Sequence, residues 1–249
     1  MDSASIPAGR LYEDLAFLMP LISPPIEYAE EASHWRAILR EKLGEGRHRI
    51  LELGAGGGHN LSHLTADFEL TATDISETML AQCGRLNPGV ELIPGDMRTL
   101  QLGRVFAAVL IHDAISAMLT EPDLLAAFET AAAHLKPGGI LIVSPDHFAE
   151  TFHTPEIGHA THSDENAEVT YLEYTYDPDT SDTKVETVMF YLIRTSDGLR
   201  IEHDRHVTGL FPRNSWIRLF DKAGFSSETR VFHLGPDRQA YELLVGVRR

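Results

Sequence analysis

Leu51-Glu52-Leu53-Gly54-Ala55-Gly56-Gly57-Gly58-His59 is an apolar strand that breaks into glycines with an acid just before them. Gly54 and Gly56 tolerate positive φ and let a ligand approach the backbone closely, and a helix starting near His59 turns free N–H groups toward whatever lies over the turn. The run is not the dinucleotide fingerprint, which needs a third glycine where His59 stands so that helix and strand pack closely around a pyrophosphate. Glu52 would repel a pyrophosphate but attracts a cationic amino-acid tail. A small charged ligand of that kind is expected over the turn.

Outward from this stretch, strand and helix signals alternate between residues 49 and 145, which implies parallel βαβ units with helices on both faces. Residues 48–53 read as the first strand, 61–66 as a short helix and 69–73 as a second strand ending on Asp74. Ser76 caps a helix over 77–86, which Asn87-Pro88-Gly89 stops. Residues 90–93 and 106–111 read as buried strands, Thr120 caps a helix over 121–135, and Lys136-Pro137-Gly138-Gly139 turns into a fifth strand over 140–143. A polar loop is expected through Asn166. Three alternating segments follow, 169–176, 185–194 and 199–207, with the tight turns of antiparallel strands. A helix over 214–223 and a closing hairpin, 227–232 with 241–247, complete the core. Before it, 11–18 and 28–43 read as a broken helix leading into a longer one, interrupted by Pro20 and Pro24-Pro25.

The expectation is an α/β fold: a Rossmann-like, seven-stranded, mostly parallel sheet with an N-terminal helical lid and an antiparallel insertion before the last strands. The boundaries are 1–45 for the lid, 46–146 for the ligand-binding core, 147–210 for the loop and insertion, and 211–249 for the closing helix and strands. The insertion serves as substrate cap or as the contact of a homodimer. A chain of 249 residues, 43% hydrophobic, supports one such domain with an elaboration. Its 37 acidic and 21 basic residues give a formal charge of −16, which disfavours nucleic acid and anionic membrane as partners. One cysteine, Cys83, permits no internal disulfide and points to a reducing cytoplasm. No apolar run approaches the ~20 residues that span a bilayer, and Met1-Asp2-Ser3 opens without a basic signal region.

The chemistry-bearing residues fall at successive strand ends, where open α/β sheets bind ligands. Asp74 follows Gly54 by 20 residues, the spacing at which a carboxylate reaches a ribose; alternatively it caps a helix. Asp96, in Gly95-Asp96-Met97-Arg98, can accept from an adenine amino group with Met97 against the ring, or serve as an ordinary turn residue. With Glu52 they form an acidic mouth suited to a sulfonium, and the expected ligand is S-adenosylmethionine. Met79 reads as core or adenine wall.

These residues resemble the class I S-adenosylmethionine-dependent methyltransferases. Residues 52–58 match their first motif, Thr73-Asp74-Ile75-Ser76-Glu77-Thr78-Met79-Leu80 their ribose-binding segment, and Leu135-Lys136-Pro137-Gly138-Gly139 the turn before their fifth strand. More narrowly, Gly95-Asp96-Met97-Arg98 with Leu102-Gly103-Arg104-Val105-Phe106, Tyr12, and Ile26-Glu27-Tyr28-Ala29-Glu30-Glu31-Ala32 are similar to N,N-dimethyltransferases of nucleotide-linked amino sugars. The resemblance implies cofactor contacts from Tyr12, Tyr28, Glu52, Gly54, Ala55, Gly56, Asp74, Ile75, Met79, Asp96, Met97 and Ile111. Tyr12 and Tyr28 would close over the cofactor; each also suits packing of a helix on the sheet. Ala117 stands where that group can carry a histidine.

Substrate handling falls to His112 and Asp113 after the fourth strand, with His112 as a general base near neutrality or a hydrogen-bonding orienter, or simply a buried, satisfied histidine. Asp113 either attracts an ammonium or orders its loop. Asp146 and His147, past the fifth strand, occupy a similar rim. Transfer to a small-molecule nitrogen is expected, with oxygen less favoured because it needs a base more. A noncatalytic cofactor-binding scaffold and a nicotinamide-dependent oxidoreductase are the alternatives. His147, His153, His159 and His162 lack metal-site spacing and read as solvated loop histidines, so no metal is expected.

Overall fold

The computed structural model describes residues 6–233 and 240–249. Met1-Asp2-Ser3 and the turn of the closing hairpin lie outside the described residues. The chain enters through short 3-10 turns, Arg10–Tyr12 and Ala16–Leu18, then a four-residue helix, α1 (Met19–Ile22), and a further turn, Pro25–Tyr28. Pro20 sits in the first turn of α1 and Pro25 in the last 3-10 turn, positions where a missing N–H is tolerated. They keep this segment from merging with the long helix α2 (Ala29–Leu43).

The core follows in alternation: β1 (Arg49–Leu53), α3 (His59–Ser62), β2 (Glu69–Asp74), α4 (Glu77–Leu86), β3 (Glu91–Pro94), β4 (Phe106–Ile111), α5 (Glu121–Ala133) and β5 (Leu135–Val143). Ser76 and Thr120 cap α4 and α5, their hydroxyls accepting from the N–H groups of Met79 and Asp123. The helix expected over 61–66 is instead the single turn α3, begun by Gly58 in the left-handed region.

Next come four antiparallel strands, β6 (Glu156–Ser163), β7 (Ala167–Tyr176), β8 (Lys184–Thr195) and β9 (Gly198–Gly209). The chain closes with α6 (Arg213–Lys222), β10 (Phe225–His233) and β11 (Ala240–Arg248). β6 corrects the sequence reading, which left residues 145–166 as a polar loop. It is an edge strand of its sheet, alternating half-buried and exposed residues, and its run of Gly, His, Thr and Ser residues carries no apolar periodicity.

The larger sheet has seven strands among the described residues, ordered β3-β2-β1-β4-β5-β11-β10. β11 runs antiparallel to β5, and β10 antiparallel to β11, so β11 alone opposes the rest. The chain winds outward from β1 in one direction and then from β4 in the other, which places the topological switch point between those two strands. Strand periodicity assigns each side chain to a face. Leu51, Leu53, Val109 and Ile111 pack with α5 and α6, while Ile50, Ala108 and Leu110 pack with α2 and Cys83 of α4. Glu52 shares the α2 face with Ile50, and that parity carries its carboxyl toward α3.

A third apolar cluster joins the N-terminal segment to the smaller sheet: Leu11, Leu15, Leu18 and Ile22 pack on Val169, Met189, Tyr191 and Ile193. The N–H groups of Arg10 and Leu11 donate to the fully buried Asp204 of β9. No helix among the described residues is long and apolar enough to cross a membrane.

Candidate active site

A cavity of about 710 Å³ opens at the switch point, with the glycine turn as its floor. Gly54, Gly56 and Gly58 all have positive φ, from 52° to 73°. At Gly54 the chemistry also forbids bulk: a Cβ there would lie 2.5 Å from the Cβ of Ala114 and 2.8 Å from Cε of Met97. The turn is braced by Asp74, whose two carboxylate oxygens accept from the N–H groups of Gly56 and Ser76, both at 2.8 Å. Each oxygen keeps capacity for a second donor from the cavity. Burial is the main cause that raises its pKa, against three backbone hydrogen bonds that lower it.

Glu52 lies beneath the turn, 2% exposed, and its Oε2 has no hydrogen-bond partner. Burial pushes its carboxyl up to about 8. Asp96 is committed differently: Arg98 donates to it from its backbone N–H at 2.8 Å and from its guanidinium at 2.6 Å, which holds its pKa down. Arg98 also reaches Asp123 at 3.1 Å. Asp96, Met97, Ile75 and Met79 all line the cavity, Met79 fully covered and Ile75 largely exposed.

Tyr12 and Tyr28 both line the cavity from the N-terminal segment. The carbonyl of Tyr12 accepts from the Ser76 hydroxyl at 2.7 Å, and Gln82 donates to the carbonyl of Ala16 at 2.6 Å, so α4 holds this segment in place. The Tyr12 ring meets His206 of β9 edge-on at 5.2 Å. Tyr28 shares a hydrogen bond with Ser23 and turns its ring to His59 and His112.

His112 is fixed at both nitrogens, by Glu31 at Nε2 and by Asp113 at Nδ1, 3.0 Å away. Desolvation opposes the charged ring, but the two carboxylates prevail and raise its pKa well above the usual value. Of the expected roles this geometry favours the satisfied histidine over the general base, since an imidazolium locked between two acids has no lone pair to offer. Glu31 in turn accepts from the Tyr241 hydroxyl, which accepts from Nε1 of Trp35 at 3.0 Å. At the end of β5, Asp146 lines the cavity beside Ser116, its N–H donating to the serine hydroxyl at 3.2 Å. Desolvation by the cavity walls first, and the charge of Asp113 second, push the Asp146 carboxyl up to about 7, although its side chain stays accessible from the cavity.

Two expected residues stand apart. Ile111 has the parity of Val109 and is fully buried among the α5 and α6 side chains, away from the cavity. His147 points elsewhere, edge-on to Phe152 and 3.8 Å from Glu156, and burial lowers its pKa. Ala117 lines the cavity with no polar group to offer. The loop after β5 contributes only Asp146 to the lining, whereas β9 supplies residues from Arg205 to Thr208. Sequence reading passed over Glu31, Asn60, Ser116 and His206. Glu31, in the run Glu30-Glu31, carries the signature of a solvated helix face, and only the packing of α2 buries it. Among the described residues no cluster suits a metal ion.

Residues 50–139 match the methyltransferase domain family. The chain is 31% identical over 223 residues to dTDP-3-amino-3,4,6-trideoxy-alpha-D-glucopyranose N,N-dimethyltransferase of Streptomyces venezuelae, covering 89% of this chain and 91% of that one. It belongs to the class I S-adenosylmethionine-dependent methyltransferases, in the amino-sugar N-methyltransferase group. The methyltransferase is also similar to a Streptomyces fradiae enzyme, dTDP-3-amino-3,6-dideoxy-alpha-D-glucopyranose N,N-dimethyltransferase, at 31% identity over 81% of this chain and 79% of that one. Among solved structures, DesVI of Streptomyces venezuelae superposes with a TM-score of 0.80 at 27% identity, covering 100% of this chain and 99% of that one. An amino pentose methyltransferase from Micromonospora echinaspora, solved with S-adenosylmethionine bound, gives 0.79 at 26%, covering 89% and 92%. The cofactor of this methyltransferase is S-adenosylmethionine, and its chemistry is methyl transfer to a small-molecule nitrogen. The scaffold and nicotinamide readings gain nothing from these relatives.

Proposed function

We propose that the protein methylates the amine of an amino sugar, with the nucleotide-linked sugars of its relatives as the first substrates to try. The observation that carries the reading is the pair of carboxylates, Asp113 and Asp146, that line the cavity beside the β4 end with their side chains open to an incoming ligand. An ammonium substrate entering there finds both a counter-charge and a group able to take its proton.

The glycine turn and its acids fit the cofactor. The orphaned oxygen of Glu52 awaits a donor, which the methionyl ammonium provides, and the free lone pairs of Asp74 suit the ribose hydroxyls. Met79, Met97 and Ile75 supply apolar wall, and Asp96 faces the adenine end while paired with Arg98. Bound S-adenosylmethionine supplies an electrophilic methyl carbon on a sulfonium sulfur. The protein's part is mainly alignment of acceptor nitrogen, carbon and sulfur. Asp146 takes the proton that frees the nitrogen lone pair, and His112 acts as a fixed cation that keeps Asp113 ionised and in place.

We assign residues 1–45 as the lid and β9 as the cap, supported by Tyr12 meeting His206 across the cavity mouth. The outer face of the smaller sheet exposes Ile157, Leu172, Tyr174, Phe190, Leu192 and Ile201, which suits a second copy of the chain. The buried Cys83 fits a cytoplasmic setting. The test is incubation with labelled cofactor and a panel of dTDP-amino sugars with mass detection. Methylated amine is expected; binding of S-adenosylhomocysteine without a methylated amino sugar in the panel would refute the acceptor class.

A further inference from the structure

Asn60 is polar, 4% exposed, and lines the cofactor cavity, yet neither Nδ2 nor Oδ1 of its carboxamide has a hydrogen-bond partner. A buried amide left unpaired at both ends is destabilising, and native interiors rarely keep one without use. Its backbone is ordinary: the carbonyl accepts from the N–H of His63 as α3 ends. Nothing in the local turn needs an amide at this position.

The neighbours define which part of a ligand it meets. Asn60 follows His59, whose ring lies 5.6 Å from Tyr28, and Tyr28 lies 5.9 Å from His112. Glu52, whose pKa feels the charge of His112, also lines the cavity with an orphaned Oε2, while the third lining residue with an unpartnered atom, Arg205 at Nε, comes from β9. Asp74 and Ser76 are engaged elsewhere, Asp74 bracing the turn through Gly56 and Ser76 holding the carbonyl of Tyr12, and Asp96 is paired with Arg98. A ligand that satisfies Glu52 and Asn60 together must present a donor to the carboxyl, and both a donor and an acceptor to the amide. An α-amino acid zwitterion has that set: an ammonium for Glu52 Oε2 and Asn60 Oδ1, and a carboxylate for Asn60 Nδ2.

We propose that Asn60 is a cofactor-binding residue that reads the amino-acid tail of S-adenosylmethionine, its carboxamide bridging the tail's ammonium and carboxylate. The inference rests on the cofactor assignment and adds a residue to it. It also explains why a polar side chain persists under the turn: the amide is unsatisfied until the tail arrives.

The test compares two ligands on the full-length protein and its Asn60→Leu variant by calorimetry. One is S-adenosylhomocysteine, which has the tail; the other is 5′-methylthioadenosine, which lacks it. In the variant the homocysteine ligand is expected to bind about 10- to 100-fold more weakly, the range for a lost hydrogen bond to charged groups. The tail-less ligand should bind as before. The ligand-free variant should melt at the same temperature or higher, because leucine fills similar volume without an unpaired amide. Unchanged homocysteine affinity overturns the proposal, and so does an equal loss for both ligands or a lower melting temperature with both affinities reduced, which marks a structural residue. If the leucine variant does not fold, Asn60→Ala is read by the same two titrations. Failure of the parent protein to bind S-adenosylhomocysteine would sink the cofactor assignment as well, whereas normal binding by parent and variant alike removes only the role of Asn60.

Discussion

Glu52→Gln should make the empty protein more stable and the cofactor complex weaker, with both effects tied to one proton. The folded carboxyl is raised from 4.5 to about 8 by burial. A carboxyl raised in the folded state contributes stability only below the unfolded pKa, and that contribution is lost as pH rises from 4.5 through about 8. At pH 7 the gap from 4.5 corresponds to about 3 kcal/mol, at ~1.4 kcal/mol per pH unit. Glutamine removes this penalty but leaves an amide short of partners, which returns about 1–2 kcal/mol. A net gain of about 1–2 kcal/mol at neutral pH follows; it should shrink as pH falls, cross zero at about pH 5.5 and reverse towards pH 4.5, where the parent's penalty is gone and the cost of the glutamine amide remains.

The assay is urea unfolding of the two chains between pH 4.5 and 8. Taking the difference at each pH removes Asp146, His112 and every other titrating group common to both. Cofactor binding supplies an independent arm: the tail's ammonium draws the Glu52 proton off, so calorimetry of the parent in buffers of different ionisation enthalpy should show proton release at pH 7, and the variant none. A stability difference that stays flat across this range, together with no proton release, would refute the placement of Glu52 as a neutral acid awaiting a cation.

Three further outcomes are expected. Asp74→Ala should weaken S-adenosylhomocysteine binding by about 1–3 kcal/mol in calorimetry, since it removes a charge-assisted ribose acceptor and the brace on Gly56; an unchanged affinity removes that role. The His112 ring should remain protonated by NMR as pH rises through 6.5, because its pairing contributes stability that is present below the ordinary 6.5 and lost only as pH passes its raised folded value; titration near 6.5 would restore it as a base. Asp146→Asn should lower turnover about 100-fold near neutrality, the lower end of what a positioned base contributes, and displace the acidic limb of the rate profile from about pH 7 toward the acceptor amine's own pKa. A variant with unchanged rate and profile assigns the proton to solvent.

The core was legible because its signals are local. The glycine break after β1, the Ser76 and Thr120 caps, and the apolar runs of β4 and β5 each specify their own conformation, and their order is sufficient for the sheet. β6 was not legible, since an outer strand with one face in solvent needs no apolar alternation to hold its place. Its pairing with β7, residue by residue from Glu156 with Thr175 to Ser163 with Glu168, is a property of the partner strand. The same holds for the start of the chain, where Pro20, Pro24 and Pro25 announce breaks but say nothing of the apolar cluster that clamps Leu11 and Leu15 to the inserted sheet.

The site divides along the same line. Glu52, Asp74 and Asp96 line the cavity, as their positions at strand ends lead one to expect. Protonation is not legible in the same way, because charge state is set by neighbours distant in sequence. His112 and Glu31 are 81 positions apart, and Glu31 and Tyr241 are 210 apart. Strand parity settles Ile111: it alternates with Leu110, so its side chain enters the α5 and α6 layer, and the cavity lining begins one residue later with His112. Parity likewise explains why Glu52, rather than Leu51 or Leu53, looks toward α3. One residue of register therefore separates a core side chain from a ligand-binding one, and the pairing of Glu52 with Leu110 on β4 and with Ala72 on β2 holds that register from both sides.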